Sequence, residues 1–305
     1  MNDTRYLPIP PKTRTLGPNG PLVSTLAWGM WRFKGTDLSL ARSLVDAALE
    51  AGITLFDTAD IYGPDNDEPF GASETLLGQL LDADPALRSK MVLATKGGII
   101  IGVPYDSSAD YIGKAIDASL TRLKTDYVDL WQIHRPDILT HPQEIARALG
   151  DAHHAGKIGA IGVSNFTAAQ TAALAKFVTI PLVTTQPEFS ALKLDAIDTG
   201  LLDQSIELGM TPLAWSPLGG GRIAFPTTKR ELDVAEALDA VATTFGVSRT
   251  AAAYSWIMAH PAGIIPIVGS QQATRIAEAV DAYKVRWTRT DWYKILVASK
   301  QEPLP

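Results

Sequence analysis

Tyr127-Val-Asp-Leu-Trp-Gln-Ile133 is a run of apolar and β-branched residues that stops at a histidine, His134. Two earlier stretches end alike: Ile53-Thr-Leu-Phe56 at Asp57, and Met91-Val-Leu-Ala-Thr95 at Lys96. Such runs read as strands with both faces buried, which is the signature of parallel pairing. Five more strand-like segments cover residues 26–29, 160–166, 182–189, 211–217 and 263–269, making eight. Between them lie stretches of helical period. Leu40, Leu44, Val45, Ala48 and Leu49 form one face of the first, which Gly52 stops; Ile112, Ile116, Leu120 and Leu123 form another. Thr167 and Ser248 stand where N-caps belong. Eight strands alternating with helices predict an α/β fold, a (β/α)8 TIM barrel. A doubly wound sheet would carry a glycine-rich turn after its first strand, and Ala27-Trp-Gly-Met-Trp31 is not one. Gly17-Pro-Asn-Gly20 predicts an N-terminal β-hairpin capping the bottom of the barrel, and residues 288–299 predict an extra C-terminal helix capped at Thr288 or Thr290. No repeat or long linker interrupts residues 1–305, so the expectation is one barrel domain.

Composition narrows the possible functions. The 305 residues include no cysteine, which excludes disulfides, zinc–thiolate sites and a thiol nucleophile and suits a reducing compartment. A net charge of −6 speaks against a nucleic-acid partner. Met-Asn-Asp-Thr-Arg-Tyr-Leu-Pro, the first eight residues, holds no apolar signal core, and no window approaches a membrane span. The expectation is a cytoplasmic protein that needs no membrane and acts as a monomer or weak homo-oligomer.

In a parallel barrel the carboxyl ends of the strands form one face, and that face carries the chemistry. Asp57, Lys96 and His134 all end strands there, and Tyr62 follows Asp57 by five residues. Singly, each has an ordinary reading: a loop cap, a surface turn, a solvated strand end, a satisfied histidine. Together they are the parts of a proton-transfer site. A phenol is a poor acid near neutral pH; a nearby ammonium lowers its pKa, and a buried carboxylate keeps the ammonium charged and oriented. Such a phenol can protonate a carbonyl oxygen that is becoming an alkoxide, and the imidazole can hydrogen-bond the same oxygen. The missing partner is a hydride, which no side chain supplies, so a nicotinamide cofactor is implied.

Asp57 with Tyr62 five residues on, then Lys96 and His134, resembles in order and spacing the catalytic tetrad of the aldo-keto reductases. His134-Arg-Pro-Asp137 is similar to a bacterial branch of that family. The resemblance extends through Gly162-Val-Ser-Asn-Phe166, Gln186, Trp215-Ser-Pro-Leu218, and Ile265-Pro-Ile-Val-Gly-Ser270 followed by Arg275. It implies NADPH (NADP+) as cofactor. Ser164, Asn165 and Gln186 would hold the nicotinamide carboxamide, and Trp215 would stack on the ring. Gly29, Met30, Trp31, Asp57, Ser216, Pro217 and Leu218 would complete that end. Gly220 and Arg222 would lie along the diphosphate. Ile267, Gly269, Ser270, Gln271, Arg275 and Glu278 would grip the adenosine phosphate. A Ser-Asn pair is chemically the complement of a carboxamide, and Gly219-Gly-Gly221 would let backbone N–H groups approach a diphosphate.

The chain departs from the family in three places. Gly269 stands where a lysine is frequent, Glu278-Ala279 where Glu-Asn is frequent, and Trp215 where tyrosine or phenylalanine is common. A preference for NADPH over NADH smaller than in relatives with both cations is therefore expected. The substrate is expected to be a small aldehyde or ketone, reduced reversibly to an alcohol in a pocket formed by Trp31, Tyr62, Tyr105 and His134. Trp131 and loop residues 219–226 would add walls, with Arg32 and Arg135 near the rim. Aromatic walls favour aromatic, aliphatic or dicarbonyl compounds. The rival from another class is a nicotinamide-binding regulatory or redox-sensing module with little turnover. His141, His153, His154 and His260 lie on or at the ends of helical stretches without ligand spacing, so no metal is expected.

Overall fold

The computed structural model describes residues 5–304; the first four residues of the leading segment and Pro305 lie outside them. In chain order the elements are β1 (Thr13–Thr15), β2 (Leu22–Ser24), β3 (Ala27–Gly29), α1 (Leu38–Glu50), β4 (Leu55–Asp57), α2 (Ala72–Ala83), β5 (Val92–Gly97), β6 (Ile99–Ile100), β7 (Val103–Tyr105), α3 (Ala109–Leu123), β8 (Val128–Ile133), α4 (Pro142–His154), β9 (Ile158–Ser164), α5 (Ala168–Ala175), β10 (Leu182–Gln186), α6 (Asp195–Asp198), α7 (Leu201–Glu207), β11 (Thr211–Ala214), α8 (Lys229–Phe245), α9 (Arg249–Met258), β12 (Ile265–Val268), α10 (Ala273–Glu278) and α11 (Arg289–Lys300). Strands β3, β4, β5, β8, β9, β10, β11 and β12 pair in that order and close into a barrel, with β12 returning to β3 in parallel. This is the (β/α)8 architecture the strand count predicts.

Strand alternation sorts the core into two layers. Ala27, Leu55, Ala94, Leu130 and Leu213 fill the barrel interior. Phe56, Leu93, Trp131 and Ile133 point outward into the helix layer. The expectation that Trp131 walls a pocket is thereby corrected. Leu130 and Gln132 take the inward positions of β8, so Trp131 faces the helices and is 0% exposed.

The hairpin closes the bottom as expected. Arg14 pairs with Val23, and Leu16 and Val23 join the interior core. Gly17 has φ +48° and lies against the backbone of Val183 at the start of β10, with its N–H on Thr211 Oγ1 at 3.0 Å. Thr167, Ser248 and Thr288 cap α5, α9 and α11. Helix α1 keeps its expected face at Leu44, Val45 and Ala48, with one change at its N-terminal turn. Ala41, Leu44, Val45 and Ala48 are buried while Leu40 is 57% exposed. A second antiparallel hairpin, β6–β7, stands after β5, where the sequence pattern predicts no strand. Among the described residues no helix is long and apolar enough to cross a membrane.

Candidate active site

Asp57 ends β4, Lys96 is the penultimate residue of β5, and His134 follows β8, so parallel pairing delivers all three to one rim. Lys96 Nζ donates to Asp57 Oδ2 at 2.8 Å and to the Thr58 carbonyl at 2.7 Å. Both partners are sealed: the lysine side chain is 0% exposed and the aspartate side chain 3%. Gln186 Nε2 donates to the other aspartate oxygen at 3.0 Å. The ammonium lies 5.0 Å from the Tyr62 ring centroid, and the Tyr62 and His134 rings meet edge to face at 5.8 Å. The sequence-predicted tetrad is one contiguous cluster.

Burial alone would discharge Lys96, but Asp57 and Tyr62 hold its pKa above the ordinary value. Burial raises the Tyr62 hydroxyl, and Lys96 only partly opposes it, so the net shift is upward rather than downward as expected from the sequence. The ring is partly open to solvent, which softens the effect of burial without reversing it. Burial, Lys96 and Arg135 together push His134 well below its usual pKa, so the imidazole is neutral. Its Nδ1 is buried and has no hydrogen-bond partner among the described residues. At neutral pH the site thus holds a protonated phenol, a charged ammonium and a neutral imidazole around one opening. It can donate a proton and a hydrogen bond to one oxygen.

Ser164, Asn165 and Trp215 form a linked set beside the tetrad. Trp215 Nε1 donates to Asn165 Oδ1 at 2.9 Å, and Asn165 Nδ2 lies within reach of Ser164 Oγ at 2.9 Å and the His134 carbonyl at 3.2 Å. Ser164 Oγ donates to the Gln186 carbonyl at 3.0 Å. Asn165 at φ 59° and Ser216 at φ 52° hold left-handed backbone, a conformation that side chains adopt at a cost and that clusters at functional sites. The Arg135 guanidinium lies 5.8 Å from the centre of the Trp215 ring.

The remaining positions separate. Gly29 is packed against Ile267, which faces the barrel interior. Met30 turns its side chain outward into the core, and its carbonyl accepts from Ser73 at 3.0 Å, so it offers little to a ligand. Trp31 is 41% exposed with Arg32 over its ring at 4.7 Å, and Tyr105 is 43% exposed on β7. Pro217 is buried and Leu218 half-buried beneath the glycine loop. Arg222 Nε donates to the Gly219 carbonyl at 2.7 Å and its guanidinium faces Glu231 at 3.7 Å, so it braces that loop.

The residues present fit a dinucleotide. Gly220 and Gly221 hold positive φ, and open space lies where a Cβ would stand at both and at Gly269. Gln271 Oε1 is a buried acceptor without a partner among the described residues, while its Nε2 donates to the Gly29 carbonyl at 3.3 Å. Ser270 accepts from Gln272 N, and Arg275 and Glu278 are exposed on α10. No group of three possible metal-ligating side chains gathers among the described residues. Two contributions carry little or no sequence signal. The Thr58 carbonyl is a backbone group that no motif marks. Asp60, three residues beyond Asp57, carries a signal only in its spacing, which places it on the loop that carries Tyr62.

Comparison with known proteins agrees with this geometry. The model of the Aldo/keto reductase family matches residues 25–298. The chain is 62% identical over 301 residues to the 6-dehydroglucose reductase of Novosphingobium aromaticivorans, covering 98% of this chain and 99% of that one. It is 37% identical to the 6-dehydroglucose reductase of Agrobacterium fabrum, covering 90% and 93%. It is 36% identical to the oxidoreductase YdhF of Escherichia coli, covering 95% and 98%. A crystal structure of a thermostable aldo-keto reductase in complex with the inhibitor epalrestat superposes with a TM-score of 0.82 at 23% identity, over 94% of this chain and 99% of that one, and so shares the fold. This chain is an oxidoreductase of the aldo/keto reductase family.

Proposed function

We propose that this protein reduces the aldehyde of 6-dehydroglucose to a primary alcohol, giving glucose, with NADPH as the reductant. The observation that carries the reduction is the Asp57–Lys96–Tyr62–His134 cluster, with its salt bridge of 2.8 Å and its rings 5.8 Å apart. The substrate follows from two relatives that carry that activity in their names, at 62% and 37% identity.

A nicotinamide bound across the strand ends would supply the hydride. Every other task falls to this chain. Tyr62 gives its proton to the carbonyl oxygen as that oxygen gains charge. Lys96 makes the resulting phenolate tolerable, and Asp57 holds the lysine in place. Neutral His134 donates one hydrogen bond to the same oxygen and draws the carbonyl carbon toward the hydride. Ser164, Asn165 and Gln186 orient the carboxamide, Trp215 backs the ring, and Ser270, Gln271 and Arg275 take the adenosine end. The steps run backward from an alcohol, so the reaction is reversible. Trp31 offers an indole face to a sugar ring, and Arg32 and Arg135 offer donors to hydroxyls. We further infer one barrel unit over residues 1–305, acting in the cytoplasm as a monomer or weak homo-oligomer without nucleic-acid or membrane partners.

The test is to mix purified protein, NADPH and 6-dehydroglucose and follow cofactor absorbance and glucose formation. Stoichiometric loss of NADPH and gain of glucose is expected. Turnover of simple aldehydes without turnover of 6-dehydroglucose would refute the substrate and keep the reaction.

A further inference from the structure

Behind the tetrad, on the outer side of the barrel wall, lies a second ionisable group that the reduction does not use. Asp60 sits between Asp57 and Tyr62 on the loop after β4 and is 1% exposed. Its backbone N–H donates to the Lys96 carbonyl at 2.9 Å, stitching this loop to the strand that carries the lysine. The Tyr111 hydroxyl, from α3, donates to Asp60 Oδ2 at 3.3 Å, while Oδ1 is buried without a partner among the described residues. From α2 comes Glu74, 0% exposed, which accepts from Arg122 Nε at 2.7 Å and from the Thr95 hydroxyl. Arg122 also belongs to α3, and Asp106 acts on Tyr111 from the loop before it. From β5 and β8 come Gly97 and Trp131; a Cβ on Gly97 would stand 2.8 Å from the indole and 2.9 Å from Asp60 Oδ2, so no slack remains.

Two carboxyl groups thus share a sealed space with one guanidinium, which Glu74 already engages. Burial, and then Glu74, push the Asp60 pKa up to about 8, with Arg122, the Ile61 backbone N–H and Tyr111 opposing. The group carries its proton at neutral pH.

We propose that Asp60 is a positioning residue for Tyr62: as a neutral acid it locks residues 57–62 against β5, and its ionisation loosens that segment. The inference rests on the reading of Tyr62 as proton donor. Among the described residues an anion here meets the Ile61 N–H and the Tyr111 hydroxyl but no cation beyond the guanidinium that Glu74 already engages, so water must enter or the loop must shift. A reacting group misplaced by about 1 Å can lose on the order of a hundredfold in rate.

The experiment is the pH profile of kcat and KM for aldehyde reduction by wild type and Asp60→Asn, which keeps the acceptor for Tyr111. Tyr62 and Lys96 are both held above their ordinary values of 10.0 and 10.5, so their own titration falls higher than that of Asp60. Wild-type kcat should fall as pH passes about 8, while Asp60→Asn should stay level there with KM little changed. Tyr111→Phe removes a bond that favours the carboxylate, so its alkaline limb should move to higher pH, and it serves if Asp60→Asn fails to fold. A limb that coincides with wild type in the folded variants overturns the proposal.

Thermal unfolding supplies a readout free of turnover. The folded pKa is raised above an unfolded value of about 3.9, so the folded state holds an extra proton between the two. Wild-type stability from this group is therefore full below about pH 4 and lost as pH rises to about 8. The melting temperature of Asp60→Asn relative to wild type should climb across that window and then level off. No such climb also counts against the proposal. Absence of turnover by the wild type would defeat the enzymatic reading instead, and the melting comparison would still report on Asp60.

Discussion

Lys96 is charged where burial alone would neutralise it, because Asp57 at 2.8 Å, and Tyr62 beside it, oppose the burial. Removing it should harm chemistry and stability together. Lys96→Met should lower kcat severely, because no ammonium remains to stabilise the phenolate. It should also cost about 3–5 kcal/mol of folding stability, since Asp57 would stay buried with only Gln186 beside it. Kinetics and urea melts of the variant check both; wild-type values in both would make Lys96 a passive strand end. The identities of the four clustered residues were legible because each closes or follows a strand-like run. The direction of the Tyr62 shift was not. The sequence shows that a lysine is near, but not that burial outweighs it. The carbonyl of Thr58 and the buried face of Asp60 were hidden too, since both depend on how the loop after β4 folds back on β5.

At the level of elements, the strands and caps followed from pattern, while the facing of single side chains at Leu40 and Trp131 did not. Thr167, Ser248 and Thr288 cap helices because a hydroxyl there meets an otherwise unbonded N–H. Leu40 and Trp131 were misjudged for one reason: hydrophobicity marks that a residue packs, not which side it faces. In β8 the alternation beginning at Val128 decides the matter, and in α1 the stripe runs through Ala41 instead. The bottom hairpin offers a sharp test of a single backbone position. Gly17→Ala would place a methyl against Val183 at a φ of +48°, so it should destabilise by more than the roughly 0.4–1 kcal/mol that the same change gains where the backbone suits alanine. The hairpin is at the far end from the tetrad, so kcat below the melting transition should be unchanged. A fall in kcat with no loss of stability would contradict this division between bottom and top.

Across the whole molecule, a chain of net charge −6 has to attract a dinucleotide that is itself an anion, so the few cations at the adenosine end matter. Arg275 is exposed on α10, and Gly269 leaves open space where a second cation is frequent among relatives. NADPH should therefore be preferred over NADH by a modest margin. Arg275→Ala should raise KM for NADPH and leave that for NADH nearly unchanged, and added salt should narrow the preference because an exposed ion pair is screened. Equal kcat/KM for the two cofactors in the wild type would contradict this. The barrel itself was the most legible feature, since eight apolar runs with helical spacers have few other ways to bury both strand faces. The β6–β7 hairpin escaped because strands of two and three residues carry almost no periodic signal.

The central claim is that Tyr62 delivers the proton, and Tyr62→Phe tests it most directly. The variant keeps the ring that packs against His134 and loses only the hydroxyl. Single-turnover reduction of an aldehyde by NADPH should slow by about 10²–10⁴-fold, the range of general acid catalysis. Binding of NADPH, followed by quenching of tryptophan emission, should be unchanged. Loss of rate with intact binding is the predicted result; a variant that reduces the aldehyde at the wild-type rate would contradict the account.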